Sequence, residues 1–330
     1  MENLKLTAHK MVTSGKGILA ADESTPTCTK RFQALGLESS EKTRNIYRGL
    51  LLDTPQLSNY ISGVILFDET FHQSIKNTNQ TIPIFLKNKG ILTGIKVDTG
   101  AKNLANHKGE KITEGLDNLS ERLIQYKKNG ADFAKWRGVI KISNKETPST
   151  ACIYANAHAL ARYASICQEV GIVPIVEPEV LMDGDHNIET CKIVTERTLN
   201  IVFEQLSMLN VDLQAMILKP NMILPGISCA TQNSNQDIAE HTLEVLINHV
   251  PEQVPGIAFL SGGQSSDLAA ERLNLMNKLN SSKPWQLTFS YGRALQEDAL
   301  KYFAIGNIQG TQEALIHRAK QNHFASIGKL

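Results

Sequence analysis

Surplus charge of either sign is missing from this chain. Its 330 residues carry 34 lysines and arginines against 33 aspartates and glutamates, a formal net charge of +1, so the basic excess that drives nucleic-acid binding is absent. Cysteine is scarce and unpatterned. Cys28, Cys152, Cys167, Cys191 and Cys229 form an odd set with no C-x-x-C pair, which excludes a readable disulfide framework or zinc knuckle and fits reduced thiols in the cytoplasm. No apolar run reaches bilayer-crossing length, and MENLKLTAHKMVTSGKGILA lacks the apolar stretch of a secretory signal. Neither membrane insertion nor secretion is expected.

Other absences narrow the chemistry. No G-x-G-x-x-G follows a strand and no G-x-x-x-x-G-K-S/T occurs, so the usual nucleotide cradles are missing. The nine histidines are scattered without H-x-H or H-E-x-x-H, leaving a zinc-dependent mechanism without visible ligands. MDGDHN at 182–187 lacks the residue order of a calcium loop and reads as a solvated turn with a helix N-cap. No Pro/Gly/Ser linker divides the chain. The length alone suggests two domains, yet closed α/β barrels reach it as one, and a single domain over 1–330 is expected. A composition of 42% hydrophobic and 20% charged residues is that of a folded protein.

What is present is a rhythm of strand and helix. Apolar, β-branched runs recur at 17–22, 61–67, 92–98, 131–140, 170–180, 215–220, 256–262 and 286–293. Near-continuous apolar character marks parallel strands covered on both faces. Helical periodicity fills the intervals, as in EKTRNIYRGLLLD, NIETCKIVTERTLNIVFEQLSMLN and SNQDIAEHTLEVLINHV. Gly115 or Asp117 precedes a helix closing at Gly130, and a long helix after Pro148 ends at Gly171. This is the βαβ pattern.

Polar side chains end most of the strands: Asp22, Lys96, Lys135, Glu177, Lys219, Ser261 and Arg293. Lys135, Glu177, Lys219 and Ser261 follow one another at steps of 42 residues, one βα unit each, which predicts equivalent places on successive strands. In a closed eight-fold barrel such ends converge on one face, whereas an open doubly wound sheet spreads them along a crevice.

Lys219 closes a run too apolar for a surface strand. Burial disfavours the ammonium and would leave an amine able to form an imine with a carbonyl, although a lysine that snorkels or pairs with a carboxylate is the commoner case. Lys135 in FAKWR supplies a second cation that would press the first further toward neutrality. Trp136 alternates away and reads as barrel-to-helix packing. Glu177 and Glu179, two apart on a strand, point to one side, where a carboxylate either relays protons or forms a structural ion pair. Asp22 carries the same two readings. Gly262 and Gly263 in FLSGGQ and Arg293 in SYGR mark glycine-bearing strand ends before helices, where an anion is held or a chain simply turns.

GILAADES, GIKVD, ADFAKWR, IVEPE, LKPN, FLSGGQS and LTFSYGRALQ, in this order, resemble class I fructose-bisphosphate aldolase from about residue 7 to about residue 320. The resemblance implies a TIM (β/α)8 barrel, a lysine Schiff base and no metal or other cofactor. It implies Lys219 as the imine-forming residue, Glu177 as acid/base in carbinolamine formation and dehydration, Lys135 as its assistant, and Asp22 as handler of the C-4 hydroxyl proton. Ser261, Gly262, Gly263, Ser290, Gly292 and Arg293 match the phosphate site of the dihydroxyacetone phosphate half, with Arg31 a further phosphate contact. Ser24, Lys96 and Arg137 match the other end of fructose 1,6-bisphosphate. The implied products are triose phosphates, the setting glycolysis, and the assembly a homotetramer.

Two departures stand out. Pro26-Thr27 replaces the Gly-Ser that commonly follows ADEST in the family, stiffening the second phosphate loop. The chain ends at GKL, where animal relatives continue to a terminal tyrosine, so another group is expected to protonate the enamine. An aldolase for fructose 1-phosphate or sedoheptulose 1,7-bisphosphate, and a barrel serving mainly as a scaffold, are the competing expectations.

Overall fold

The computed structural model describes residues 1–330 apart from 76, 77, 79, 144–147 and 280. Eight parallel strands close into a barrel. They are β1 (Gly17–Ala21), β2 (Ile61–Leu66), β3 (Leu92–Lys96), β6 (Phe133–Ile140), β7 (Val173–Val180), β8 (Ile217–Leu218), β9 (Gly256–Phe259) and β10 (Gln286–Tyr291), and each falls within one of the eight apolar runs. Around the barrel the order is β1-β10-β9-β8-β7-β6-β3-β2. Between β3 and β6 lies an antiparallel hairpin, β4 (Gly100–Asn103) with β5 (Lys111–Glu114), which no run announced.

Helices α1 (Glu2–Met11), α2 (Thr25–Gln33), α3 (Glu41–Leu52), α4 (Asp68–Phe71), α5 (Ile82–Asn88) and α6 (Leu119–Lys128) accompany the first half. The second half carries α7 (Thr150–Val170), α8 (Ile188–Met208), α9 (Asn235–His249), α10 (Ser266–Lys278), α11 (Arg293–Ala304) and α12 (Ile308–Ser326). The α7 end at Gly171, in the left-handed region at φ 83°, agrees with the sequence. The start of α6 does not: Asn118, at φ 52°, takes the place of Gly115 or Asp117, since asparagine tolerates that region.

Alternation along the strands divides two cores. Leu19, Ala134, Trp136, Val176 and Leu218 face the surrounding helices, and Trp136 packs on Tyr163 of α7 at 5.6 Å between ring centroids, as its alternation predicted. Ile18, Ala20, Phe133, Val173, Ile175, Ile217 and Ala258 face inward and join Leu4, Ala8, Met11 and Val12. Helix α1 therefore plugs the N-terminal end of the barrel. The same inward parity continues from Ala20 to Asp22, from Phe133 to Lys135 and Arg137, from Ile175 to Glu177 and Glu179, and from Ile217 to Lys219. Apolar side chains fill the floor and charged ones the opposite mouth.

Equal sequence steps do not mean equal height. Lys135 pairs with Ile175 and Arg137 with Glu177, so Lys135 lies one inward layer below Glu177, a consequence of the stagger that closing a barrel imposes. The expected strand at 215–220 is also shorter, because Ala215 ends a 3-10 turn and Pro220 has no N–H for the ladder. The Lys219 N–H still bonds Val176 O at 2.8 Å, which extends the strand edge to that residue.

Glycines make room for rings at the floor. A Cβ on Gly94 would lie 2.1 Å from Phe133, whereas one on Gly49, inside α3, would meet only Ile75 Cδ1 at 3.7 Å. Gly94→Ala is expected to cost about 3 kcal/mol by overpacking, and Gly49→Ala to gain about 0.5–1 kcal/mol from helix propensity. Urea denaturation of both variants checks the opposite signs, with the midpoint moving and the slope unchanged.

Candidate active site

The mouth holds a cavity of about 1040 Å³. Every sequence-predicted site residue except Gly263 lines it: Asp22, Ser24, Arg31, Lys96, Lys135, Arg137, Glu177, Lys219, Ser261, Gly262, Ser290, Gly292 and Arg293. Asp22 lies just past β1, Lys135 and Glu177 within β6 and β7, and Lys219 just past β8. The barrel thus gathers residues as far apart in sequence as Asp22 and Arg293.

Four of them form a buried relay of alternating charge. Asp22 Oδ2 lies 2.7 Å from Lys135 Nζ, Lys135 Nζ lies 3.3 Å from Glu177 Oε2, and Glu177 Oε1 lies 3.2 Å from Lys219 Nζ. The side chains of Lys135, Glu177 and Lys219 are at most 5% exposed. Burial alone would raise the Asp22 carboxyl, but the Lys135 and Lys219 ammonium groups override it and lower it to about 2. Burial alone would lower Lys135; the Asp22 and Glu177 carboxylates reverse that and hold it above the usual lysine range. Lys135 is therefore a fixed cation. Glu177 Oε2 makes no hydrogen bond among the described residues, which leaves a lone pair open at the centre of the relay.

Glu179 has a different partner. Its Oε2 accepts from Arg137 Nε, and burial pushes its carboxyl up against the opposing pull of that guanidinium. Three cations of the mouth thus have carboxylates at hand: Arg31 on Glu23 at 2.6 Å, Lys96 on Asp98 at 2.5 Å, and Arg137 on Glu179. The sequence reading missed Glu23 and Asp98 as partners. Asp98 had a signal, since it shares inward parity with Lys96; Glu23 had none beyond its place in AADES.

Around the two glycine turns the picture is mixed. Gly262 stands in the left-handed region at φ +64° and lines the cavity. The Gly263 N–H donates to Ser261 O at 2.8 Å and so serves the turn, while a Cβ on Gly263 would lie 3.4 Å from Arg293 Nη2. Ser290 Oγ is buried and without a hydrogen-bond partner among the described residues. Gly292 caps α11, whose first residue is Arg293, so that arginine opens a helix and does not end a strand. Ser24 and Thr27 share a hydroxyl contact of 3.1 Å beside Pro26, and both line the cavity.

The 182–187 segment agrees with its N-cap reading, as Asn187 Oδ1 accepts from the Thr190 N–H at 2.9 Å. His186, however, is buried, because its loop packs under Gly226, whose N–H bonds His186 O at 2.7 Å. Among the described residues no three His, Cys, Asp or Glu side chains cluster as a metal site requires.

Acid titration reports on the relay. The Asp22 pKa of about 2 lies below its unperturbed 3.8, so the native state binds fewer protons, and the stabilisation is full above that unperturbed value and is lost as pH falls through about 2. Asp22→Asn is expected to lower stability by about 2 kcal/mol near neutrality. Urea titrations from pH 6 to 2 should show the gap from the unaltered chain closing at the acid end.

Comparison with known proteins agrees with this architecture. Residues 3–330 match the family model for glycolytic fructose-bisphosphate aldolase class-I. The chain is 51% identical to a probable fructose-bisphosphate aldolase class 1 of Xanthomonas campestris pv. campestris, covering 100% of this chain and 98% of that one. It is 49% identical to fructose-bisphosphate aldolase 2 of Caenorhabditis elegans, over 99% of this chain and 90% of that one. A structure of fructose-bisphosphate aldolase from Plasmodium falciparum, in complex with TRAP and a small-molecule inhibitor, is similar with a TM-score of 0.97 at 46% identity, covering 99% and 95% of the two chains. In sequence along nearly its whole length, and in fold, the chain belongs to the class I fructose-bisphosphate aldolases.

Proposed function

We propose that the chain reversibly cleaves fructose 1,6-bisphosphate to dihydroxyacetone phosphate and glyceraldehyde 3-phosphate, in glycolysis and gluconeogenesis, through an imine on Lys219. The observation that carries the assignment of roles is the buried Asp22–Lys135–Glu177–Lys219 relay at the cavity floor.

Glu177, 3.2 Å away, takes a proton from the Lys219 ammonium, the amine so freed attacks C-2 of the ketose, and Glu177 passes on the protons that turn carbinolamine into protonated imine and water. Lys135 holds Glu177 and Asp22 apart as carboxylates. Asp22 takes the C-4 hydroxyl proton, the C-3–C-4 bond breaks, and its electron pair passes into the protonated imine to give an enamine. Glyceraldehyde 3-phosphate leaves. Asp22 gives up the C-4 proton, one proton is delivered to C-3 of the enamine, and hydrolysis of the protonated imine then releases dihydroxyacetone phosphate and restores the Lys219 ammonium. Ser261, Gly262, Ser290, Gly292 and Arg293 bind the phosphate of the dihydroxyacetone half, with Gly263 closing the turn at Ser261 and Arg31 adding a contact. Ser24, Lys96 and Arg137 take the other phosphate, and the two anchors hold the reacting bond over the lysine. The five cysteines are free, in keeping with a reducing cytoplasm, and near-zero net charge does not oppose assembly into a tetramer.

One observation favours a second reading. The Ser24–Thr27 hydroxyl contact beside Pro26 gives an incoming phosphate a competitor at the other end of the site, which would suit an aldolase preferring fructose 1-phosphate.

Lys219→Ala and Lys219→Arg are expected to lower kcat by about 10⁴-fold or more, the scale for loss of a catalytic nucleophile, with the barrel still folded by circular dichroism and with a lower urea midpoint for Lys219→Ala, which leaves Glu177 and Asp22 one cation short. Glu177→Gln is expected to slow turnover by about 10²–10⁴-fold, as loss of a general acid does. A Glu177→Gln variant altered only in KM would contradict its role.

A further inference from the structure

Asp98 has no part in the chemistry above, although its side chain is only 3% exposed in the wall of the cavity. Three donors from different elements converge on it. Lys96 Nζ, at the end of β3, bonds Oδ1 at 2.5 Å and the Asp98 backbone carbonyl at 2.7 Å. The Gly100 N–H, at the start of the hairpin, bonds Oδ1 at 3.1 Å, and the Arg137 N–H of β6 reaches Oδ2 at 3.4 Å.

An ammonium has three N–H donors. Two spent on Asp98 leave the third for the cavity that Lys96 lines. The backbone contacts hold the carboxylate itself in place, so it fixes the long lysine stem before any ligand arrives, and the entropy of ordering that stem is lost on folding instead of on binding. One carboxylate thereby holds the Lys96 ammonium directly and the Arg137 backbone beside it, while Glu179 holds the Arg137 guanidinium. Its bonds go to Lys96, Gly100 and Arg137, and none goes to Ser261, Gly262, Ser290 or Arg293.

We propose that Asp98 is a positioning residue that sets the preference for ketose bisphosphates over monophosphates, by holding Lys96 and the Arg137 backbone where the second phosphate is read. The inference rests on the aldolase reading of the site. A carboxylate that merely competed with phosphate for Lys96 would have the opposite effect, since its removal would tighten bisphosphate binding.

Steady-state cleavage of fructose 1,6-bisphosphate and fructose 1-phosphate, in the unaltered chain, Asp98→Asn, Lys96→Met and the double variant, separates these outcomes. Asp98→Asn is expected to lower the bisphosphate-to-monophosphate ratio of kcat/KM about tenfold, the scale of one charge-assisted hydrogen bond, mainly by raising KM for the bisphosphate. The double variant should lose no more of the ratio than Lys96→Met alone, because Asp98 acts largely through that lysine. An unmoved ratio, equal losses on both ketoses, a bisphosphate KM that falls, or losses that multiply in the double variant would each overturn the proposal. Should the Asn chain not fold, Asp98→Glu keeps the charge but displaces it by one methylene. It is expected to lower the same ratio, and a full ratio there overturns the proposal too. If the unaltered chain cleaves neither ketose, the aldolase reading falls and takes this inference with it; if it cleaves both and the variants keep the ratio, only the role of Asp98 falls.

Discussion

Two carboxylates and two ammonium groups share the dry end of a closed barrel, and the site depends on their neutralising one another. An isolated charge there would meet a desolvation cost of several kcal/mol and would lose its charge instead. Lys135 stands between Asp22 and Glu177, which keeps Asp22 an acceptor far below neutral pH and leaves Glu177 in contact with both lysines. Alternation of charge is what lets four ionisable side chains be buried together. It also makes them a path along which a proton can move.

The barrel produces that alternation by geometry. Inward positions recur every second residue, and the α1 plug with its apolar layer closes the floor, so that only the last inward position or two of each strand reaches the cavity. Stagger between strands then decides who meets whom. Because Arg137 and not Lys135 sits level with Glu177, Lys135 approaches Glu177 diagonally, and Arg137 rises to Glu179 one layer higher. The relay therefore spans two layers, and Arg137 shares the upper one with Glu177.

Much of this is legible in the sequence because strand parity is a local property. The apolar runs locate all eight strands, and the polar residue ending each run locates most of the mouth. Asp22 and Lys219 stand out in the amino-acid sequence as charged residues at the ends of largely apolar runs, and Lys135 and Glu177 as charged residues inside them. What stays hidden is set by contacts distant in sequence. The hairpin between β3 and β6 has short, polar strands without an apolar face, so periodicity cannot find it. Equal steps of 42 residues suggest equal height, whereas the ladder between β6 and β7 shifts Lys135 a layer down. The carboxylates of Glu23 and Asp98 lie outside the strands, and their use is decided by cations that only the closed barrel brings within reach.

The central claim is that Lys219 is the residue that bonds to substrate, and chemical trapping tests it most directly. The protein would be treated with dihydroxyacetone phosphate and borohydride in the presence of a chelator, then measured by intact mass and by peptide mapping. The account predicts one stable adduct per chain on Lys219 and undiminished turnover in chelator before reduction. An adduct on Lys135 or Lys96, or no adduct together with activity lost to the chelator, would contradict it.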